Sequence, residues 1–192
     1  MARTKEFDRE SALDKAMNLF WSKGYEATSM AELLETMGIG RQSLYDTFGD
    51  KHDLFLAALS RYEELTGTPL RTCFDTAESV RGAFRDLFMR FVRETEVEQR
   101  RGCFMVNTAA ELSALDPKAA KAVQASQRGL EALFFKALRR AHESGELPAS
   151  KDPRALARFL VGALQGLRLA AKADPGSPAL RDIARITLAA LD

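Results

Sequence analysis

The segment from Thr28 to Lys51 constrains the fold most strongly, because it encodes two short helices with almost nothing between them. Apolar residues recur at three- and four-residue spacing in its first half, which predicts an amphipathic helix carrying Met30, Leu33, Leu34 and Met37. Gly38 ends that helix, since glycine adopts the left-handed conformation of a helix C-terminus without steric cost. The helix that follows places its apolar residues Leu44 and Phe48 four apart. Two short helices joined by a glycine-containing turn form a helix-turn-helix pattern.

The residue order in this segment resembles the DNA-binding domain of the TetR/AcrR family of transcriptional regulators. The matching positions carry glycine, aliphatic, aromatic and lysine residues at the family's spacing: Gly38, Ile39, Leu44, Tyr45, Phe48 and Lys51. One departure is Gly40, which stands where the family usually has a small hydroxyl or other polar residue. The resemblance implies an all-α protein of about nine helices. An N-terminal three-helix, helix-turn-helix domain would bind DNA, and a larger C-terminal helical domain would bind a ligand and dimerise.

The second helix of the motif supplies the candidate DNA-contacting residues. Its N-terminal residues face base edges in this motif, and Arg can pair with guanine while Gln can pair with adenine. Arg41 and Gln42 are therefore the candidate base readers, and Lys51 is a candidate phosphate contact. The complete predicted DNA-binding set is Thr28, Ser29, Gly40, Arg41, Gln42, Ser43, Tyr45, Thr47 and Lys51. The implied partner is double-stranded DNA with a palindromic operator, because two-fold dimers bind two half-sites.

Bulk charge does not favour DNA binding by the predicted N-terminal helix-turn-helix domain, which is called the head below. The chain has a formal net charge of +1, and residues 1–52 contain seven Lys and Arg against nine Asp and Glu. The basic residues are nevertheless placed at useful points, with Arg3, Lys5 and Arg9 in or beside an N-terminal arm of residues 1–7. We therefore expect a small number of specific phosphate contacts and weak non-specific binding.

The sequence predicts a domain boundary at Thr66–Pro69, where glycine and proline interrupt the helix that begins near Asp50. The predicted domains are residues 6–66, with the motif at about 29–48, and residues 70–192. Helical patterns follow at about 76–99, from Cys103, from Asp116–Pro117, and at about 153–173 and 177–191.

The family resemblance implies an effector pocket within the C-terminal domain. Aromatic residues on broad apolar faces are candidates for its wall, and a row of polar residues spaced by four lies on the helix after Gly102. The candidate effector-binding or sensing residues are Phe84, Phe88, Cys103, Asn107, Glu111 and Phe134. Cys103 has two interpretations: a small buried hydrophobe, or a thiol sensor of electrophiles or oxidants whose thiolate is favoured by Arg100 and Arg101.

The last two helices are apolar around more than one narrow stripe, which exceeds what a single core face needs. Small residues between the larger ones permit close helix approach. We therefore expect these helices to pair with their copies in a second chain as a four-helix bundle. The candidate dimer-interface residues are Phe159, Ala163, Leu167, Ile183 and Ile186.

Composition excludes several other classes. No apolar run approaches the roughly 20 residues that span a bilayer, and the N-terminus lacks a signal-peptide core, so we expect a cytoplasmic protein without a membrane partner. Two cysteines form no disulfide framework, and no zinc-ligand spacing, metal site or cofactor motif occurs.

The expected function is a ligand- or stress-responsive transcriptional regulator, a repressor acting as a homodimer with a small-molecule effector, and not an enzyme. The alternatives are an activator of the same fold or a helical enzyme using Cys103.

Overall fold

The computed structural model describes residues 7–192, and within that range the chain folds into ten α-helices and no strand. The all-α prediction is confirmed, with one helix more than the nine or so expected. Residues 1–6, including Arg3 and Lys5 of the predicted arm, lie outside the described residues. The helices are α1 Arg9–Lys23, α2 Met30–Met37, α3 Arg41–Phe48, α4 Lys51–Thr76, α5 Val80–Arg93, α6 Glu96–Arg101, α7 Phe104–Leu112, α8 Pro117–Glu143, α9 Pro153–Ala173 and α10 Ala179–Ala189.

Local capping explains the boundaries of the helix-turn-helix. Ser29 and Glu32 form a reciprocal capping box at the start of α2, and Gly38 ends α2 in the left-handed conformation with φ 70°. The side chain of Asp50 accepts a hydrogen bond from the backbone N–H of Asp53 and so caps α4. These contacts lie within a few residues of each other, which is why the sequence could predict them.

The predicted break at residues 66–69 is wrong, because α4 continues through Gly67 and Pro69 to Thr76. A proline inside a helix removes one hydrogen bond and costs about 3 kcal/mol. Packing on both sides offsets that cost here: Tyr62 is buried before the proline and Phe74 after it. The Arg140 guanidinium also binds the carbonyl of Phe74 at 2.8 Å and so holds the end of α4. The domain boundary itself stays a prediction.

The single helix predicted for residues 76–99 is also wrong. It is two helices, α5 and α6, because Thr95 and Glu98 form a second capping box that restarts the helix after Glu94. Gly102 then ends α6 with φ 69°, and Cys103 is the N-cap of α7.

Among residues 7–192, the buried apolar side chains form two clusters. The proximal core joins α1–α4 to α7 and the first part of α8, through Phe104, Leu112 and Val123. The distal core lies among the end of α4 and helices α5, α8, α9 and α10, and it contains Phe74 and Phe134. Across residues 7–192, no helix combines the length and apolar character that a bilayer span requires.

Candidate functional site

Helix α3, the predicted recognition helix, presents its polar residues outward. Leu44 and Phe48 are buried against the proximal core, whereas Arg41 and Gln42 are exposed and Tyr45 is 45% exposed. Gly40 is the N-cap of α3, and because glycine has no side chain, the first turn of α3 has no side-chain cap. Ser43 and Thr47 are half-buried at the margins of this face. The helix therefore offers its N-terminal turn and one side to a partner, as a major-groove reader must.

Gln42 is already engaged within the helix. Its Nε2 donates a hydrogen bond of 2.9 Å to Oδ1 of Asp46, one turn further along α3. A glutamine that reads adenine uses both amide atoms. The Gln42–Asp46 contact must therefore open before Gln42 can make that bidentate contact, whereas Arg41 has no such restraint within α3.

Thr28 is corrected from a DNA contact to a structural residue. Its side chain is fully buried, and Oγ1 donates a hydrogen bond of 2.6 Å to the carbonyl of Gly24. Ser29 is exposed and caps α2, so its position suits a phosphate contact. The ammonium of Lys51 lies 4.3 Å from the ring centroid of Tyr25, a cation–π contact that orients it at the start of α4.

Glu111 of α7 holds the connection between α1 and α2. Its carboxylate accepts hydrogen bonds from the backbone N–H groups of Tyr25 at 3.2 Å and Glu26 at 2.9 Å. Gly24 has φ 87°, and a Cβ there would stand 2.8 Å from Oε2 of Glu111. Glycine is therefore required by both conformation and space. The sequence predicts Glu111 as an effector residue, but in the structure its carboxylate binds the backbone of the α1–α2 connection in the head.

A second polar contact joins the head to α8. Nε2 of His52 lies 2.5 Å from Oδ2 of Asp116, the residue that caps α8. Partial burial raises the pKa of Asp116, but hydrogen bonds from the N–H of Ala119 and from His52 outweigh it and hold the pKa below its ordinary value. Asp50, His52 and Asp53 also bring one ligand-type atom each within 4.8 Å of one another, although Asp50 serves as a helix cap and His52 is bonded to Asp116.

A cavity of about 300 Å³ lies between the proximal and distal cores. Helices α4, α5, α7, α8 and α9 form most of its wall, and its apolar lining includes Leu65, Leu70, Leu87, Phe91, Val106 and Leu130. Its polar lining includes Tyr62, Glu94, Cys103 and Arg168. Burial raises the pKa of Glu94 above its ordinary value, even though Nη1 of Arg168 lies 3.7 Å from its carboxylate. The lining is mostly apolar with a few converging polar groups, as small-molecule sites usually are.

Only one of the six predicted effector residues, Cys103, lines this cavity. Phe84, Phe88 and Phe134 are fully buried in the distal core, where the rings of Phe84 and Phe134 pack at a centroid distance of 4.9 Å. Asn107 is committed elsewhere: its Nδ2 donates to the carbonyl of Arg101 at 3.0 Å, and its Oδ1 accepts from Lys172.

Sequence reasoning missed most of the lining of the cavity, including Trp21, Tyr62 and Arg168. They belong to α1, α4 and α9, so no local pattern marks them as neighbours. Their aromatic and cationic character was the available signal, but it is equally typical of packing and surface residues.

Cys103 is half-buried at the N-cap of α7, with its Sγ 3.5 Å from the hydroxyl oxygen of Tyr62. Burial raises the pKa of Tyr62, so the phenol stays protonated and can donate to the sulfur. The sulfur thus has an adjacent donor and faces a cavity that can accommodate a molecule. Cys73 is exposed at the end of α4, and neither cysteine is in a disulfide.

An apolar stripe on α9 and α10 is left uncovered by the rest of residues 7–192. Phe159 is 49% exposed, Leu169 56% and Ile186 60%. A Cβ added at Gly162 or Gly166 would meet no atom within 4 Å. Of the predicted interface residues, Phe159 and Ile186 lie on this stripe and Ala163 and Ile183 lie at its margin. Leu167 does not, because it is fully buried in the distal core.

Comparison with known proteins gives consistent results along the chain. The family model "Bacterial regulatory proteins, tetR family" matches residues 12–58, and the model "Tetracyclin repressor-like, C-terminal domain" matches residues 81–187. The uncharacterized HTH-type transcriptional regulator YezE of Bacillus subtilis (strain 168) is 37% identical over 194 residues, covering 100% of both chains. The HTH-type transcriptional repressor ComR of Escherichia coli (strain K12) is 36% identical over 188 residues, covering 97% of this chain and 90% of ComR.

Among solved structures, a cysteine mutant of the TetR family transcriptional regulator CifR, complexed with 26-bp double-strand operator DNA, has the same fold. It aligns with a TM-score of 0.85 at 34% sequence identity, and the alignment covers 100% of both chains.

Proposed function

Because this chain belongs to the TetR/AcrR family of transcriptional regulators, we propose that it represses transcription by binding a palindromic operator as a homodimer. A small-molecule or reactive effector releases it. The observation that carries the proposal is the outward face of α3, where Arg41 and Gln42 stand exposed above the buried anchors Leu44 and Phe48. The similar regulator CifR has been solved in complex with operator DNA. The place of action is the cytoplasm, where operator DNA is available.

The apolar stripe on α9 and α10 supports the homodimer. Leu169 and Ile186 are large side chains exposed on neighbouring helices, and Gly162 and Gly166 leave room for a second helix to approach closely. Pairing with the same stripe of a second chain would cover these residues and form a four-helix bundle. The dimer would hold two recognition helices at a spacing set by the operator, about 34–36 Å for adjacent major grooves.

The cavity supports release by an effector. It lies between the head and the helices of the proposed dimer interface, so an occupant can favour one arrangement of the two over the other. Release requires only that the effector bind more tightly to the arrangement that cannot bind the operator than to the one that can. Cys103, facing the cavity beside Tyr62, supports a reactive effector as the second class of signal. The CifR structure was obtained with cysteines replaced.

The enzyme alternative is disfavoured by the surroundings of Cys103. A cysteine nucleophile generally needs an adjacent base. No histidine lines the cavity in the part of the chain that the structure describes, and His52 is bonded to Asp116 instead. The activator alternative shares every contact described above, so the sign of regulation is tested by a transcription assay on the selected operator.

Selection of bound DNA from a random pool tests the proposal. The expected product is a two-fold symmetric site with half-sites about one helical turn apart, protected by a dimer. A site without symmetry, or no enrichment at low salt, would contradict it. The selected operator then allows candidate effectors to be screened for release.

A further inference from the structure

Trp21 belongs to α1 of the DNA-binding head, yet it forms part of the cavity wall. Its ring meets the ring of Tyr62 edge-on at a centroid distance of 4.9 Å. The Arg101 guanidinium stacks over it at 3.6 Å. Its Nε1 donates a hydrogen bond of 3.2 Å to the carbonyl of Gly102. Trp21 is thus held on three sides by α4 and by the segment just before α7.

The Gly102 carbonyl also joins the head to α9. It accepts a second hydrogen bond, of 2.8 Å, from Nη2 of Arg168. Arg168 lines the cavity too, and its guanidinium stacks on Phe91 at 4.1 Å. One carbonyl oxygen therefore connects the last turn of α1 with the helix that carries the exposed apolar stripe. Displacing Trp21 leaves the Gly102 carbonyl with Arg168 as its donor, while the indole N–H loses its acceptor in a partly buried place.

The backbone around Gly102 leaves little room for adjustment. Gly102 is buried with φ 69°, and a Cβ there would stand 3.1 Å from Cδ of Lys172. Arg101 adds a clamp, since its Nη2 donates to the carbonyl of Asn18 at 3.3 Å. The contact of Arg101 with Asn18 therefore ties this segment to α1, the helix that carries Trp21.

We propose that Trp21 is part of the effector site, so that an occupant of the cavity displaces Trp21 from Gly102 and with it α1 of the head. The inference rests on the proposed function, since it specifies how the effector site reaches the head. The occupant is an apolar molecule that fits about 300 Å³ and contacts the indole. A group attached to Cys103 would occupy the same space. The signal then enters the head through α1 directly, in addition to any movement of α4.

The first test fills the cavity without any ligand. Ala109 lines it from α7, while Ala110 is exposed on the same helix, so Ala109→Phe and Ala110→Phe form a matched pair. Trp21 is the only tryptophan in the chain, so its emission reports this site alone. We expect Ala109→Phe to shift the emission and weaken operator binding at least tenfold, with Ala110→Phe unchanged in both. Folded Ala109→Phe protein with unshifted emission and parental affinity would overturn the assignment.

The second test attaches a group to Cys103 in a Cys73→Ser background. Iodoacetamide is the reagent: the sulfur bonds to its methylene carbon, iodide leaves, and the thiol proton passes to the buffer. We expect one adduct by intact mass, a shift in Trp21 emission and at least tenfold weaker operator binding. Adding Trp21→Phe, which keeps a ring and removes the donor, should reduce the loss of affinity on alkylation to under threefold.

The outcomes separate the two proposals. Release of the Trp21→Phe protein as complete as that of its parent, at equal adduct yield, overturns the role of Trp21. A parent whose emission shifts on alkylation but whose operator affinity does not change overturns the transmission from Trp21 to the head, while the proposed operator binding stands. The Ala109→Phe result decides the assignment even if Trp21→Phe fails to fold.

Discussion

The proximal and distal cores differ in what they hold together. The proximal core packs the head against α7, with Phe104 edge-on to Phe55 at 5.6 Å and to Tyr62 at 5.7 Å. The distal core packs α5, α8, α9 and α10 around Phe84 and Phe134 and forms the base of the exposed apolar stripe. By packing, α7 therefore belongs with the head, although it lies in the C-terminal half of the chain.

This difference bears on where the two parts of the molecule can move relative to each other. A densely packed core resists small displacements, so relative movement is easiest along the seam between two cores. The cavity occupies that seam, with Tyr62 from the proximal core and Leu87 from the distal core in its wall. Separating the functions of the two cores experimentally is the most direct way to test this arrangement.

The largest expected effect comes from the stripe over the distal core. Ile186→Asp places a charge on a residue that is 60% exposed, so the monomer should fold normally while the dimer fails. We expect a monomer by light scattering and at least 100-fold weaker operator binding. Leu115→Asp is the control, since Leu115 is 78% exposed between α7 and α8, away from the stripe. A dimer with parental operator affinity would exclude the stripe as the interface.

A pair of core truncations compares the two clusters. Phe104→Ala and Phe134→Ala should each lower the free energy of unfolding by about 3–5 kcal/mol, measured by urea denaturation. Only Phe104→Ala removes the packing against Phe55 and Tyr62. Only in this variant should the molecules that remain folded also bind the operator more weakly. Equal operator affinities for the two folded variants would contradict the assignment of α7 to the head.

Within the head, base contacts and phosphate contacts should separate. Arg41→Ala is expected to cost about 1–3 kcal/mol at the cognate operator and little on unrelated DNA. Lys51→Ala should weaken binding to all sequences and reduce the slope of log K against log salt by about 0.9 for each phosphate that the protein no longer neutralises. Titrations of both variants at several salt concentrations measure these quantities. An unchanged cognate affinity for Arg41→Ala would remove it from the base-reading set.

The smallest expected effect concerns the cap of α2. The Lys23 ammonium and the capping contacts with Ser29 lower the pKa of Glu32 from 4.5 to about 2. A lowered pKa gives stability that is present above pH 4.5 and is lost as the pH falls towards 2. Glu32→Gln should therefore lower the Tm slightly at pH 7 and less at pH 3. Glu35→Gln, on the exposed side of α2, is the control. An equal Tm difference at both pH values would contradict the assignment.

Two misassignments show where periodicity fails. Phe84, Phe88 and Phe134 lie on apolar faces, but a helical pattern cannot distinguish a filled core from the wall of a cavity. Leu167 and Leu169 are two residues apart on α9, and one is buried while the other is 56% exposed. Only the neighbours of α9 decide which side of the helix faces solvent.

The sequence alone determined the helix-turn-helix, its exposed N-terminal turn, the opening of α8 by Asp116 and Pro117, and the bounds of α9. These features depend on caps, glycines and spacing within a few residues. Tertiary structure decided the continuity of α4 through Pro69, the position of the cavity and the presence of Trp21 in its wall. Those features depend on side chains distant in the chain, whose packing outweighs local preference and leaves no local signal.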